Sequence, residues 1–344
     1  MRGIVLAAGK GTRMQGLSDF VPKPLLPLAN IPALVRSLQN LRAAGIKDVL
    51  VVIGHNATSI QNTIGDGSCL DMRVEYAVQE EQCGTGDAVM LAQSFASGQA
   101  FVAMYGDVVF GRDNIVSLLS SFRESSADAV MTVYPVREAW RGGVVLVERN
   151  EVVAIIEKPK PGTVDSDLIN AGVYVFPPEI FDALGGLEPS ERGEIELTDG
   201  VRKLLERGCR FLSHQMSGFW ENLTDPASYL AANSRVLQER AALKESLIHA
   251  KADIDRDATL AGTVAVGEGC EIGKATVGPS VSIGNRCKVE DGAELSNCIL
   301  LEGSRVATCT VVKDAVIGPG VEVRENTQAS NPSDPPLLLP RKRA

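Results

Sequence analysis

A glycine-rich turn and two nearby cations give the strongest chemical signal in the chain. Residues 4–14 read Ile-Val-Leu-Ala-Ala-Gly-Lys-Gly-Thr-Arg-Met, so an apolar run that we predict as a buried strand leads into a loop ending at Arg13. Residues 22–28 read Pro-Lys-Pro-Leu-Leu-Pro-Leu and add Lys23. Glycines let backbone N–H groups approach a polyanion closely, and cations neutralise it. The pattern therefore predicts a loop that binds phosphate groups.

Two commoner phosphate loops do not fit these residues. A Walker loop needs Gly-Lys followed by Ser or Thr, whereas Gly9-Lys10 is followed by Gly11. A dinucleotide fingerprint needs a third small residue where Met14 stands. An ordinary glycine-rich turn beside an unrelated lysine is the structural alternative, and it does not account for two ordered motifs.

The two motifs together resemble the signature of the sugar-1-phosphate nucleotidylyltransferases, and further ordered motifs extend the resemblance to about residue 235. These enzymes join a nucleoside triphosphate to a sugar-1-phosphate and release pyrophosphate, mainly by positioning the reactants and neutralising their charge. The resemblance implies two catalytic cations: Arg13 at the β- and γ-phosphates and Lys23 near the α-phosphate and sugar phosphate. It implies a phosphate cradle made of Leu6, Ala7, Ala8, Gly9, Gly11 and Thr12.

Asp107 is the predicted metal ligand. It follows the predicted buried strand at residues 101–105, and Mg²⁺ favours one or two carboxylates together with phosphate oxygens and water. On its own, an Asp in this position is more often a turn or cap residue. The resemblance implies a second ligand in a G-x-W-x-D/N segment, which here ends at Asn222, with Glu221 as the rival candidate one position off the pattern. We therefore expect Mg²⁺ as the cofactor.

The segment at residues 79–88, Gln-Glu-Glu-Gln-Cys-Gly-Thr-Gly-Asp-Ala, resembles the base-reading segment of the uridylyl-transferring members. An amide such as that of Gln79 offers both a donor and an acceptor to the edge of uracil or thymine. We therefore expect UTP to be favoured, with dTTP close behind and GTP as a further alternative. The predicted nucleotide-binding residues beyond the phosphate cradle are Gln79, Gly84, Thr85 and Gly106.

Sugar-side residues are predicted from three later motifs. Glu157-Lys158-Pro159 resembles the family's E-K-P element, which implies that Glu157 accepts from sugar hydroxyls and that Lys158 binds the sugar phosphate and is catalytic. Asn170 is expected to bond a hydroxyl or an N-acetyl group, and Gly143 completes the set. Taken singly, these residues also fit surface charge, a turn and a bulge, but their order favours a sugar site.

Strand-like and helix-like segments alternate over residues 1–235. This order predicts an α/β nucleotidylyltransferase domain with a Rossmann-like, mostly parallel sheet, in which ligands bind at the carboxyl ends of the strands. The predicted strands are 4–8, 49–53, 101–105, 129–136 and 152–157, and the predicted helices are 33–44, 86–94 and 225–250. We expect residues 236–252 to form a helical connector.

A six-residue apolar period begins after the connector. Ile254, Leu260, Val266 and Ile272 start it, and small residues often follow the apolar position. This period predicts a β-helix with one short side per hexad, about twelve hexads in roughly four coils. It resembles the left-handed β-helix of hexapeptide repeats carried by many sugar nucleotidylyltransferases. We place it at residues 253–327, followed by a Pro-rich tail at 328–344.

Composition limits the remaining possibilities. The 344 residues are 44% hydrophobic and 22% charged, which is typical of a globular protein. A net charge of −9 argues against a nucleic-acid partner, and no apolar run is long enough to cross a membrane. Seven scattered cysteines and a strand without a preceding signal peptide lead us to expect a reduced, cytoplasmic protein. We expect a homo-oligomer.

These observations predict a Mg²⁺-dependent transfer of a nucleotidyl group from UTP to glucose-1-phosphate or N-acetylglucosamine-1-phosphate. The sequence leaves the sugar open, because hydroxyl discrimination depends on pocket geometry. A non-catalytic regulatory subunit is an alternative, but it would be expected to lack Arg13, Lys23 or Asp107. A bifunctional acetyltransferase is another, and we expect no such activity because the last histidine, His249, precedes the first hexad.

Overall fold

The computed structural model describes residues 1–54, 57–190, 193–325, 327–329 and 337–339. Its contacts define two compact units. The first unit contains Met1–Lys10 and Leu34–Trp220, and the second contains Gly11–Ala33 and Glu221–Ala344. The domain boundaries expected at residues 235, 252 and 327 stay predictions, because a grouping by contacts does not test them.

Helices and short strands are distributed as follows. The helices are α1 (Ala33–Ala43), α2 (Ala57–Ile64), α3 (Thr85–Met90), α4 (Gln93–Ala96), α5 (Asn114–Glu124), α6 (Glu179–Gly185), α7 (Leu197–Glu206) and α8 (Pro226–Ala242). The strands up to Asn222 are β1 (Arg2–Ala7), β2 (Pro27–Leu28), β3 (Ile31–Pro32), β4 (Asp48–Ile53), β5 (Arg73–Val78), β6 (Phe101–Tyr105), β7 (Val108–Phe110), β8 (Ala129–Pro135), β9 (Gly143–Glu148), β10 (Glu151–Glu157), β11 (Leu168–Phe176), β12 (Phe211–Gln215) and β13 (Trp220–Asn222). None of the helices in the described ranges is long and apolar enough to cross a membrane.

The first unit is built on a nine-stranded sheet in the order β5-β4-β1-β6-β11-β8-β12-β10-β9. The expected parallel pairing holds for β5, β4, β1 and β6 and for β8 with β12. The sheet is nevertheless mixed, because β11 runs antiparallel to β6 and β8, and β10 runs antiparallel to β12 and β9. A short connection explains the antiparallel pairing of β9 with β10. Only Arg149 and Asn150 join β9 to β10, both with positive φ, and a two-residue turn of this kind makes a hairpin. A parallel pair would need a crossover of a dozen residues or more.

The predicted strands of the first unit are confirmed to within two residues at either end. The helix expected at 86–94 is instead divided into α3 and α4. The helix expected at 225–250 begins as predicted, where Asp225 accepts from the Ser228 N–H in a capping box, but it ends at Ala242. Lys244 then adopts a φ of 57°, a left-handed conformation that ends helices.

The parallel strands of the sheet end at the edge where ligands are expected, which we call the ligand edge. β1 lies between β4 and β6, with Ala7 paired to Ile53 and Leu6 paired to Tyr105. The three strands therefore end side by side, and the loops that follow them leave from one edge of the sheet. Tyr105, the last residue of β6, packs edge-on against Tyr174 of β11, with 6.1 Å between the ring centroids. This aromatic contact helps to hold the end of β6 in place.

Short parallel strands fill the C-terminal part of the second unit. They are β14 (Asp253–Ile254), β15 (Thr259–Leu260), β16 (Val264–Val266), β17 (Glu271–Ile272), β18 (Thr276–Val277), β19 (Val281–Ile283), β20 (Lys288–Val289), β21 (Glu294–Leu300), β22 (Arg305–Val306), β23 (Val311–Ile317), β24 (Glu322–Val323), β25 (Gln328–Ala329) and β26 (Leu337–Leu338). Up to β25 they pair with residues 17 or 18 positions further on, as in Ile254 with Ile272 and Val264 with Val281. The pairing of β23 with β26 spans 21 positions, as in Val316 with Leu337. We call this array the strand stack.

The strand stack buries the apolar residues that carry the six-residue period. Val266, Ile283, Leu300 and Ile317 are all buried in one core. Two strands, β25 and β26, lie beyond residue 327 and both pair with β23. Part of the segment predicted as a tail therefore joins the strand stack, while residues 330–336 and 340–344 lie outside the described residues.

Candidate active site

The ligand edge of the first unit brings the start of the phosphate loop beside the predicted metal ligand. The Gly106 N–H donates to the Leu6 carbonyl at 2.8 Å. A Cβ on Gly106 would lie 3.0 Å from that oxygen, so this close approach requires glycine. Gln82 Nε2 donates to the Ala8 carbonyl at 2.5 Å and holds the loop from its other side. Half-buried Asp107 follows Gly106 directly and so leaves from the same edge.

Gln79 is held rigidly by its neighbours. Its side chain is only 6% exposed, and Nε2 donates to the Gly84 carbonyl at 3.0 Å and to Asp87 Oδ2 at 2.8 Å. Both partners are acceptors, so they fix which end of the amide is nitrogen. The amide nitrogen, which we expected to donate to a base carbonyl, is thus engaged within the protein.

Gly84 and Thr85 are fixed by a neighbouring segment of the first unit. Gly84 has a φ of 105°, and a Cβ there would lie 2.5 Å from the Ile195 carbonyl. The Leu197 N–H donates to Thr85 Oγ1 at 3.1 Å. The segment predicted to read the base is therefore bound to Ile195 and to the start of α7.

Gly143 is the centre of the sugar-side residues. A Cβ on Gly143 would lie 3.3 Å from Glu157 Oε2, 3.4 Å from Thr198 Cγ2 and 3.5 Å from Asn170 Cβ. Glycine leaves open the space that these side chains surround. Lys158 Nζ lies 3.4 Å from Glu157 Oε1, so a cation and a carboxylate stand side by side. The structure thus brings together all four sugar-side residues predicted from the sequence.

Asn170 is occupied by contacts within the protein. Its Oδ1 accepts from the Gly172 N–H at 3.1 Å, and its Nδ2 donates to the Tyr174 hydroxyl. Tyr174 in turn lies 3.2 Å from the hydroxyl of Tyr105. Burial, with a smaller contribution from the charge of Glu157, raises the pKa of Tyr105 to about 12, although the hydrogen bond with Tyr174 opposes this rise. Asn170 therefore orders a buried network of neutral hydroxyls and has limited capacity left for a sugar.

Thr198 is a site residue that the sequence analysis missed. It is 5% exposed, and its Oγ1 has no hydrogen-bond partner among the described residues. A buried hydroxyl without a partner is costly, so such an atom marks a place for a ligand or water. Thr198 and Glu157 also line a cleft of about 830 Å³ that runs along β10 and α7. The sequence could have indicated Thr198, because it is a polar residue on the apolar face of α7, among Leu197, Val201 and Leu204.

The second unit carries the remaining phosphate-loop residues. Gly11 has a φ of 66°, and a Cβ there would meet Ser18 Oγ at 2.5 Å and Lys23 Cβ at 3.2 Å. The loop therefore closes tightly around the stem of Lys23, which is only 8% exposed. Arg13 is exposed in the short turn Thr12–Met14. Its charge helps to lower the pKa of Asp225, where hydrogen bonds from Ser228 and Thr224 outweigh the opposing effect of burial.

Asn222 has the properties of a metal ligand. Its Oδ1 is buried and has no hydrogen-bond partner among the described residues, and a carbonyl oxygen is a hard donor that suits a divalent cation. Burial raises the pKa of the rival Glu221, although Arg235 opposes this, so its charged form is disfavoured. Asp107 belongs to the first unit and Asn222 to the second. The described residues contain no group of three or more His, Cys, Asp or Glu side chains arranged to hold a metal.

Known proteins resemble this chain over most of its length. The Nucleotidyl transferase family matches residues 2–239, and the family described as the GMPPB C-terminal domain matches residues 273–333. Low-salt glycan biosynthesis nucleotidyltransferase Agl11 of Haloferax volcanii is 32% identical, with 94% of both chains covered. Glucose-1-phosphate thymidylyltransferase of Streptomyces griseus is 31% identical, covering 94% of this chain and 93% of its own. Bifunctional protein GlmU of Methanococcus maripaludis is 29% identical, covering 96% of this chain and 80% of its own.

Solved structures show the same fold. A crystal structure described as a glucose-1-phosphate thymidylyltransferase from Bacillus anthracis in complex with sucrose superposes with a TM-score of 0.64 at 28% identity, covering 69% of this chain and 95% of the other. UDP-glucose pyrophosphorylase complexed with UDP-glucose superposes with a TM-score of 0.62 at 22% identity, covering 70% of this chain and 99% of the other. The second likeness concerns the fold alone.

The family match spans well over half of the chain, so the chain belongs to the nucleotidyl transferase family. It is an enzyme of the sugar-1-phosphate nucleotidyltransferase type, as its full-length relatives indicate. Nucleotidyltransferases of this family generally use a divalent metal.

Proposed function

We propose that the enzyme transfers the uridylyl group of UTP to glucose-1-phosphate or N-acetylglucosamine-1-phosphate. The observation that carries the choice of base is the fixed amide of Gln79, whose Nε2 is engaged by Gly84 and Asp87. The remaining carbonyl is an acceptor, and uracil presents the N3–H donor that it requires. Adenine presents an acceptor at the equivalent ring nitrogen, so ATP would leave two acceptors facing each other.

Thymidylyl transfer from dTTP is the second candidate. Thymine carries the same N3–H donor as uracil, and two Streptomyces relatives that match this chain along its length are glucose-1-phosphate thymidylyltransferases. Guanine also has a ring N–H donor, so GTP stays an alternative that the Gln79 contacts do not exclude.

For the sugar side, we propose that Glu157 and Thr198 bind hydroxyl or N-acetyl groups in the space that Gly143 leaves open. The distances around Gly143 support this role, as does the buried hydroxyl of Thr198, for which the described residues offer no hydrogen-bond partner. Lys158, beside Glu157, would bind the sugar phosphate and assist catalysis. Asn170 would act mainly by ordering Tyr174, because its own amide is engaged.

For the reacting phosphates, we propose Mg²⁺ held by Asp107 and Asn222, with Arg13 and Lys23 as catalytic cations. A divalent ion would supply electrostatic stabilisation of phosphate charge. The exposure of Arg13 leaves its guanidinium able to meet a polyphosphate, and the tight loop around the stem of Lys23 limits the places its ammonium can reach. Backbone N–H groups of residues 6–12 would complete the cradle.

We propose that the strand stack is a left-handed β-helix of hexapeptide repeats. A pairing step of 17 or 18 residues is close to three hexads and supports three short sides per turn. We further propose a structural or assembly role without acetyltransferase activity, in a cytoplasmic homo-oligomer. Incubation with acetyl-CoA and glucosamine-1-phosphate tests the role, because acceptor-dependent release of free thiol would contradict it.

A substrate matrix tests the proposed reaction. Four triphosphates, UTP, dTTP, GTP and ATP, are each combined with glucose-1-phosphate, N-acetylglucosamine-1-phosphate and mannose-1-phosphate, and pyrophosphate release is measured with Mg²⁺ present. We expect the highest kcat/KM with UTP, followed by dTTP. A clear preference for ATP or GTP would overturn the assignment of the base.

A further inference from the structure

The segment that carries two of the proposed catalytic cations, Arg13 and Lys23, is built into the second unit. Residues 11–33 belong with the strand stack and α8, although the rest of the first 220 residues forms the other unit. Tyr229 donates its hydroxyl to the Pro27 carbonyl at 2.7 Å, and Arg240 Nη1 donates to the Ala29 carbonyl at 2.5 Å. Helix α8 therefore holds this segment, which we call the cation segment, at two backbone oxygens.

One buried side chain joins three elements of the second unit. Asn233 on α8 is 1% exposed, and its Oδ1 accepts from the Ala29 N–H and from Ser282 Oγ, both at 2.8 Å. The cation segment, the helix and the strand stack thus share a single acceptor. Asn30 adds a direct bond from the cation segment to the stack, since its Nδ2 donates to the Ile283 carbonyl at 2.8 Å.

These bonds hold a strained turn. Ala29 and Asn30 link β2 to β3 with φ values of 47° and 65°, and a left-handed conformation is unfavourable for alanine. External hydrogen bonds can maintain such a turn when the surrounding structure determines it. Between the turn and Lys23 the chain contains Pro24 and Pro27, whose rings fix φ and stiffen the segment. A restraint at the turn is therefore passed along the backbone towards Lys23.

We propose that Asn30 and Asn233 are positioning residues, which use the strand stack to hold the cation segment, and with it Arg13 and Lys23, in the geometry needed for phosphate chemistry. This inference rests on the proposed catalytic roles of Arg13 and Lys23. The strand stack would then contribute to catalysis without supplying a catalytic group. It would do so by holding the cation segment through contacts inside the second unit.

The test uses the full-length protein and three single substitutions. Asn30→Gly removes the bond to Ile283, and glycine accepts the φ of 65° without strain. Asn233→Ala removes the shared acceptor, and Asn233→Asp restores acceptor oxygens at the same place. Because Asn233 Nδ2 has no hydrogen-bond partner among the described residues, the aspartate loses no existing bond.

Ser234→Ala is the matched control. It removes a bond of 2.9 Å between Ser234 Oγ and Ser280 Oγ, which also joins α8 to the strand stack but does not involve the cation segment. The variants and the control are compared by amide hydrogen exchange over residues 11–33 and by steady-state kinetics with both substrates. Amide exchange reports how firmly the cation segment is held, whereas kinetics report the effect on catalysis.

We expect Asn30→Gly and Asn233→Ala to speed exchange in the cation segment and to lower kcat by roughly tenfold or more, since small displacements of catalytic groups are costly. The fall in kcat should exceed the change in KM for either substrate, Asn233→Asp should recover most of the lost kcat, and Ser234→Ala should behave as wild type. Unchanged exchange and kcat in Asn30→Gly, or an equal loss in Ser234→Ala, overturns the proposal. If the wild-type enzyme is inactive with every substrate pair, the proposed function is overturned instead. Amide exchange alone then decides whether Asn30 and Asn233 hold the cation segment.

Discussion

Substitution of Gly143 by alanine addresses the proposed sugar site through a single added methyl group. The backbone of Gly143 does not have a positive φ, so alanine fits the conformation of the chain. Its Cβ would lie 3.3 Å from Glu157 Oε2 and 3.4 Å from Thr198 Cγ2, tighter than most such contacts but tolerable after small shifts. The protein should therefore fold, with the space between these side chains filled.

The size of the effect follows from the contact that the methyl group blocks. A hydrogen bond to a charged group contributes about 1.5–3 kcal/mol, and Glu157 is the charged acceptor proposed for a sugar hydroxyl. Loss of that bond corresponds to roughly a 10- to 150-fold fall in kcat/KM for the sugar-1-phosphate. The KM for the nucleoside triphosphate should stay close to that of the wild type, because the Gln79 contacts are untouched.

Pyrophosphate release, measured with one substrate varied and the other saturating, separates the two effects. Gly185→Ala is the control, because a Cβ there would meet only Met90 Cε at an ordinary 3.7 Å. A Gly143→Ala enzyme with normal kcat/KM for the sugar-1-phosphate would refute the placement of the sugar. An equal fall for both substrates would indicate a general disturbance of the fold.

Three further predictions follow from other parts of the structure. Asp107→Ala should remove most Mg²⁺-dependent turnover while leaving the protein folded, whereas Asn222→Asp should stay active; near-normal turnover of Asp107→Ala at limiting Mg²⁺ would contradict the metal assignment. Gln79→Leu should lower kcat/KM for UTP by the equivalent of about 1–3 kcal/mol and leave the KM for the sugar-1-phosphate unchanged. An equal fall in kcat/KM for ATP would argue that Gln79 does not read the base. Burial lowers the pKa of His214, so as pH falls below about 6.5 the unfolded chain takes up a proton that the folded chain resists, and stability falls. The loss of unfolding free energy between about pH 7.5 and 5.5 should therefore be smaller in His214→Gln, and an identical loss would exclude this residue as a cause.

Local patterns predicted the elements that position much of the site. An apolar run followed by glycines fixed the end of β1, and the polar residues after Tyr105 and Ile156 were expected at strand ends where the structure has them. These features depend on a few consecutive residues. The order of the motifs predicted that Gly143 and Glu157 belong to one site. In the structure these two residues pair directly across one hairpin.

Features that depend on distant contacts could not be predicted. The cation segment has no periodic pattern that assigns it to the second unit, and its bond from Ala29 reaches Asn233, 204 positions away. The mixed sheet follows from how short connections turn the chain, which composition does not reveal. Likewise, the engagement of Gln79 Nε2 depends on Gly84 and Asp87 folding back towards it, so the sequence could not show which half of the amide is available.

Isotope tracing of the transferred group tests the central claim, nucleotidyl transfer, most directly. The enzyme is incubated with Mg²⁺, a sugar-1-phosphate and UTP labelled at either the α- or the γ-phosphorus, and the products are separated. The account predicts that the α-label enters the nucleotide-sugar and that the γ-label is released entirely as pyrophosphate. Transfer of the γ-label to the sugar phosphate would show phosphoryl transfer and would contradict the account.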